Sequence, residues 1–186
     1  MRYFEPLAAW QILTDTALIS KRWLEVREQR VRLGNGSEIE QFHLINGPPW
    51  AAVLCLTSDR QVVLVRQYRH GLGGASLELP AGVIEPSEDP IDAARRELLE
   101  ESGFEAESIE PLLSTAPEPS RSSTLAHFFF AQGARAVSAP QLDHCEDLEV
   151  VLVPVSELCE LIDHGHIVHA AHIAAILSAW RRGLLS

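Results

Sequence analysis

The chain has 186 residues, 46% of them hydrophobic, and a formal net charge of −11. That length suits one domain with an ordinary core and room for a small appendage. The negative balance argues against nucleic acid or an anionic membrane as the main partner. A mean hydropathy near zero reads as globular and soluble. Cys55, Cys145 and Cys159 form no paired spacing, which predicts a reducing, cytoplasmic setting. The opening MRYFEPLAAW predicts no signal peptide, and no stretch approaches the ~18 apolar residues of a membrane span.

From the start, Trp10 to Leu13, Leu18 to Val26 and Gln29 to Leu33 read as short strands, with Gly34-Asn35-Gly36 as a turn. Glu38 to Ile45 reads as the return strand. Asn46-Gly47-Pro48-Pro49 punctuates the chain, so residues 1 to 46 are expected to form a β appendage and 47 to 186 the main domain. Trp50 to Thr57 is apolar throughout and predicts a buried strand. Gln61 to Arg66, rich in valine, is the next one. A helix is expected from Asp89 as N-cap with Pro90 at its first position. Ile91, Ala94 and Leu98 make its inward stripe, and Gly103 its left-handed C-terminal cap. Leu112 to Ala116, Leu125 to Ala131 and Glu149 to Val155 predict further strands, with Gly133 to Gln141 as loop. Ser156 is expected to cap a helix to about Asp163, and 168 to 182 to form the last helix. That order gives a mixed α/β (α+β) domain with a central mixed sheet.

The stretch Gly82 to Phe104 carries the chemistry. Glu97, Glu100 and Glu101 stand at i, i+3 and i+4, side by side on one helical face. Such a face is either solvated, with Arg95 and Arg96 as ion-pair partners, or occupied by a cation. Mg²⁺ suits an oxygen-rich patch of this kind and bridges carboxylates to phosphates. Spacing alone leaves both readings open.

The full pattern is more specific. Gly82, five residues, Glu88, seven residues, Arg96-Glu97-Leu98, one residue, Glu100-Glu101, one residue, Gly103 and the apolar Phe104 resemble the signature of the Nudix hydrolases. That resemblance implies an α/β/α sandwich, a substrate of the form nucleoside diphosphate linked to another group, and Mg²⁺ or Mn²⁺ as cofactor. It implies Glu97 and Glu101 as metal ligands, Glu100 as ligand or catalytic assistant, and the Ala81 carbonyl as a further ligand. Arg96 would orient a glutamate and Glu88 would hold the loop.

Val65-Arg66-Gln67-Tyr68-Arg69 and Leu77-Glu78-Leu79-Pro80-Ala81-Gly82 look like the ADP-ribose and nucleotide-sugar pyrophosphatase branch, a likeness that spans roughly residues 10 to 180. The branch implies a homodimer in which the β appendage swaps between subunits. It also implies that Arg69 meets a phosphate, for which a planar guanidinium is suited, and that Trp23 stacks on a nucleobase, the other reading of Trp23 being core. Glu146, before a late strand, takes the place of that branch's base or extra ligand. His144 stands where some relatives carry a second acid, so Glu146 is ligand, base or both, with Glu118 as a further candidate. His164, His166, His169 and His172 fit the family's closing segment rather than a metal tract. Phe42 to Pro49 lacks an arginine found in some ADP-ribose hydrolases, which leaves base and sugar open. The rival readings are another nucleotide substrate, such as a dinucleoside polyphosphate or NADH, and a non-catalytic nucleotide-sensing module.

Overall fold

A computed structural model describes residues 7 to 186; the first six residues of the appendage, and with them much of the stretch read for a signal peptide, lie outside the described residues. Two units form. One comprises the chain up to Pro48 together with Glu118–Thr124, and the other Pro49–Pro117 with Leu125–Ser186.

The first unit is an antiparallel sheet of β1 (Gln11–Lys21), β2 (Leu24–Arg32) and β3 (Glu38–Asn46) in that order. β1 is one long strand where the sequence predicted a break after Leu13. Polar Thr14 to Thr16 hide it, because this strand is exposed along most of its length and so shows no inward-outward period. Its turn falls at Arg22-Trp23, which the sequence placed inside a strand. Cross-strand ion pairs, among them Arg27 with Asp15 at 2.8 Å and Arg32 with Glu38 at 2.7 Å, fix the register.

In the second unit, β4 (Trp50–Thr57) and β5 (Gln61–Arg69) are followed by β6 (Gly74–Glu78), β7 (Ala81–Val83) and α1 (Pro90–Ser102). Then come β8 (Phe104–Glu105), β9 (Ser108–Thr115), β10 (Ala126–Ala136) and β11 (Leu148–Pro154), and last α2 (Leu158–Asp163) and α3 (Ala170–Arg181). The sheet is mixed, since β10 runs parallel to β4 while β5, β7, β9 and β11 pair antiparallel. The unbroken apolar run of β4 follows from burial on both sides. Ala51, Val53 and Cys55 join Ala93, Ala94 and Leu98 of α1 in one core. Ala52, Leu54 and Leu56 join Leu158, Ala175 and Ile176 of α2 and α3 in the other. The result is an α/β/α sandwich. No helix among the described residues is long and apolar enough to cross a membrane.

Two local expectations are corrected. β10 continues to Ala136 through what was read as loop, with Gly133 at φ 68° accommodating a bulge between Gln132 and Ala134. Ser156 lies in a 3-10 turn, Val155–Glu157, and α2 starts without a side-chain cap.

Of the closing-segment histidines, His169 and His172 pack α3 against the sheet. His172 is buried at 1% exposure, and its Nδ1 accepts the Leu79 amide at 3.2 Å. Its ring lies against Trp50 and Phe128 and stacks on His169 at 4.3 Å. Burial, with His169 alongside, pushes its pKa from 6.5 down to about 3, the Glu78 charge opposing. The folded state thus holds a neutral imidazole that the unfolded chain protonates at higher pH. Stability from this site is complete above 6.5 and lost as pH falls toward 3. Urea unfolding across pH 4.5 to 7 is expected to show a shallower loss of stability on acidification in His172→Gln, which keeps an acceptor and cannot titrate, than in the parent.

Candidate active site

Helix α1 begins where its sequence signals place it. Asp89 Oδ1 accepts the Ile91 amide at 3.2 Å, Pro90 opens the first turn, and Gly103 closes the helix at φ 72°. Its rotation differs from the expected stripe. The core-facing side carries Ala93, Ala94 and Leu98, but also Glu97, Glu101 and Ser102, while Ile91 is only partly buried. Glu97 and Glu101 are 8% and 4% exposed, whereas the Glu100 side chain keeps 45% of its surface. The three glutamates are therefore divided between a buried pair and an outer member.

The chain before the helix passes directly over that pair. β7 lies on β4, with Ala81 opposite Ala52 and Gly82 opposite Ala51. The Ala81 amide donates to Glu101 Oε2 at 2.8 Å. A Cβ at Gly82 would fall 2.1 Å from Glu97 Oε1, inside its van der Waals shell. Only glycine leaves room for the carboxylate there.

Arg96 ties the rest together. Its Nε and Nη2 donate to the two oxygens of Glu88 at 2.9 and 3.0 Å, and Nη2 also reaches the Val83 carbonyl at 3.0 Å. Its Nη1 donates to Glu97 Oε1 at 2.6 Å and Glu100 Oε2 at 3.0 Å. Glu88 in turn accepts the Glu85 amide at 2.9 Å. One guanidinium thus joins the loop to two helix carboxylates through charge-assisted bonds. The hydrogen bond from Arg96 holds the Glu88 carboxyl below its usual range.

The buried pair is electrostatically uncomfortable. Burial raises the Glu97 pKa in spite of Arg96. It pushes Glu101 up to about 8, with the Glu97 and Glu146 charges adding to the effect and the Ala81 amide and Arg69 opposing it. Glu146 sits on the exposed loop before β11, its carboxylate accepting the Asp143 amide at 2.9 Å. Its charge reaches both buried glutamates, so these three carboxylates share one field.

Arg69, at the end of β5, donates through Nε and Nη2 to both oxygens of Glu78 at 2.9 and 2.6 Å, and its charge reaches Glu101. Glu78 was not singled out from the sequence. The available signal was a charged residue at the inward position of a strand, between Leu77 and Leu79. Trp23 and Glu118 belong to the N-terminal unit. Trp23 is 54% exposed, with the Arg22 guanidinium 4.2 Å from its ring centre, so it is not core. Glu118 pairs with Ser120 and Arg121.

A divalent cation fits the donor chemistry. Two buried carboxylates, a third within electrostatic reach and the backbone at Ala81 form an all-oxygen set, as Mg²⁺ prefers. Among the described residues no cationic side chain is in hydrogen-bonding contact with Glu101, and burial with the neighbouring carboxylate charges raises its pKa. Among the described residues, no three acidic, histidine or cysteine side chains are already gathered at ligand distance. Arg96 occupies one oxygen each of Glu97 and Glu100.

Comparison with known proteins finds a family and several relatives for the chain. The profile of the NUDIX domain matches residues 47–175. A methanol dehydrogenase activator of Bacillus methanolicus is 31% identical over 86% of both chains. An ADP-ribose pyrophosphatase of Bacillus subtilis is 27% identical over 86% of both. A GDP-mannose pyrophosphatase of Yersinia enterocolitica is 27% identical over 90% of this chain and 94% of its own. A crystal structure of an ADP compounds hydrolase superposes with a TM-score of 0.82 at 24% identity, covering 97% of this chain and 98% of the other, a likeness of fold.

Gly82→Ala is expected to displace the Glu97 carboxylate while leaving the fold in place, because that carboxylate is the end of a flexible side chain. Mn²⁺ affinity, read by electron paramagnetic resonance, should fall about tenfold or more, with the thermal midpoint lowered by only a few degrees. Unchanged affinity would remove Glu97 from the ligand set.

Proposed function

Since this chain belongs to the NUDIX domain family, we propose that it hydrolyses the pyrophosphate bond of ADP-ribose or a related nucleoside diphosphate sugar, giving a nucleoside monophosphate and a sugar phosphate. The observation that carries the reading is the buried pair Glu97 and Glu101 beneath Ala81-Gly82, with the charges of Glu146 and Arg69 in reach. Relatives named for ADP-ribose and GDP-mannose support the substrate class.

Glu97, Glu101, Glu146 and the Ala81 carbonyl are assigned to hold Mg²⁺, or Mn²⁺ in its place. When bound, such an ion neutralises pyrophosphate charge and makes a nearby water more acidic. Arg69 offers donors to a phosphate oxygen. Arg96 and Glu88 keep Glu97 and Glu100 in register with the loop. Glu146 takes the proton as water attacks phosphorus and the bridging P–O bond breaks. Among the described residues its carboxylate is engaged by the Asp143 amide alone, whereas one oxygen of Glu100 is held by Arg96. Glu100 assists in orienting the water.

The enzyme is assigned as a homodimer of cytoplasmic, reducing surroundings. The three cysteines are free. The N-terminal unit leaves Trp10, Ile12, Leu18, Trp23 and Ile45 between 42% and 55% exposed, an apolar area that a second copy would cover. Trp23 keeps an aromatic face available for a nucleobase.

A panel of nucleoside diphosphate sugars with Mg²⁺, followed by phosphate release after coupling to a phosphatase, tests the activity. Glu97→Gln and Glu101→Gln should each lower kcat by about two orders of magnitude or more, as expected for lost transition-state electrostatics, while circular dichroism stays native. Full turnover in either variant would sink the metal assignment. Light scattering should give twice the 20.6 kDa chain mass; a mass equal to one chain would exclude the dimer.

A further inference from the structure

Glu78 is the least exposed carboxylate described, at 2%, and the reaction above gives it no part. It lies on β6 opposite Val65. Steps of two along β5, from Val63 in the α1-side core through Val65 and Gln67 to Arg69, keep one face of the sheet. Glu78 and Arg69 thus share the face that carries the buried glutamates.

The contact between them is one-sided. Glu78 takes the Nε–Nη2 edge of Arg69 with both oxygens. A guanidinium has five N–H donors in a fixed fork, so this grip leaves both donors of Nη1 and one of Nη2 for another acceptor. The Arg69 side chain is 44% exposed while that of Glu78 is 2% exposed, so the open donors belong to the solvent-facing end of the pair. The backbone of Glu78 has little freedom. Leu79 donates to His172, the Pro80 carbonyl accepts from Val53, and Ala81 donates to Glu101. Stability alone is a poor reason for such a pair, because a buried ion pair is commonly no better than an apolar pair of the same volume.

We propose that Glu78 is a positioning residue for substrate. By fixing one edge of Arg69, it aims the remaining donors at the pyrophosphate and sets the affinity for the diphosphate. The proposal rests on the hydrolase reading above and deepens it. Glu78 itself touches no reacting atom. Its effect passes through Arg69.

Steady-state kinetics of Glu78→Gln, Arg69→Ala and the double variant on the best nucleoside diphosphate sugar test this. Glu78→Gln should raise KM about tenfold with kcat changed less than about threefold, the pattern of a lost binding contact. The double variant should be no worse than Arg69→Ala alone, because the two side chains act as one unit. A fall in kcat at constant KM, or independent additive losses, would overturn the proposal. Arg69→Lys, which keeps the charge and loses the fork, should reproduce the KM effect if Glu78→Gln folds poorly; parental KM in Arg69→Lys would also overturn it. Calorimetry with inorganic pyrophosphate and Mg²⁺ separates this from the activity itself. If no nucleoside diphosphate sugar is turned over, the hydrolase reading fails, yet about tenfold weaker pyrophosphate binding by Glu78→Gln still supports positioning. Equal pyrophosphate affinity in parent and variant, or none in the parent, refutes it.

Discussion

The burial of two like-charged carboxylates on the core side of one helix is the constraint from which the rest of the site follows. Glu97 and Glu101 stand one turn apart where an ordinary amphipathic helix would carry apolar residues, and removing a carboxylate from water costs several kcal/mol unless it is compensated. The surroundings supply compensation piece by piece. Ala81 gives Glu101 an amide, Arg96 gives Glu97 one Nη1 donor, and Gly82 gives Glu97 space. Each device is too small to neutralise its carboxylate, as the raised pKa values of both show. A site that compensates incompletely is one that a further positive charge can complete.

The sandwich delivers these groups to one place through two separate cores. The α1-side residues of β4 seat the helix, and β7, paired with the same strand, carries Ala81 and Gly82 above it. The alternate residues of β4 anchor the sheet to α2 and α3. His172 reaches Leu79 from that second layer, so the short segment Glu78 to Gly82 is tied to α3 at one end and to α1 at the other. Position in this segment is therefore set by both layers.

What could be read in the sequence was what depends on local chemistry. Asp89, Pro90 and Gly103 mark the ends of α1 because capping is decided within a turn. Helical spacing alone put Glu97, Glu100 and Glu101 on one face, whereas the roles of Glu88, Arg96 and the glutamates came from the family resemblance that the Gly82 to Gly103 pattern carries. The rotation of α1 was not legible, since a buried glutamate looks polar to any pattern of hydrophobicity. Glu78 escaped notice for the same reason. The first strand was broken in the wrong place because β1 is exposed along most of its length and has no inward period to read. The bulge at Gly133 turned an apparent loop into strand through a pairing with distant β4, which no local window contains.

Unlike His172, whose burial favours the fold above its titration range, Glu101 works against it. With no cation bound, between the ordinary carboxylate value of 4.5 and about 8, burial favours a proton on Glu101 that the unfolded chain releases. By linkage, the contribution of this group to stability falls as pH rises through that interval. An apolar residue at the position would remove the penalty, so packing cannot be why a glutamate stands there. Gly82 makes the same point from the other side. A residue with a side chain would strengthen β7, and the backbone forgoes it to leave the Glu97 carboxylate in place. Both residues are poor choices for a stable sandwich and good ones for the cation site proposed above.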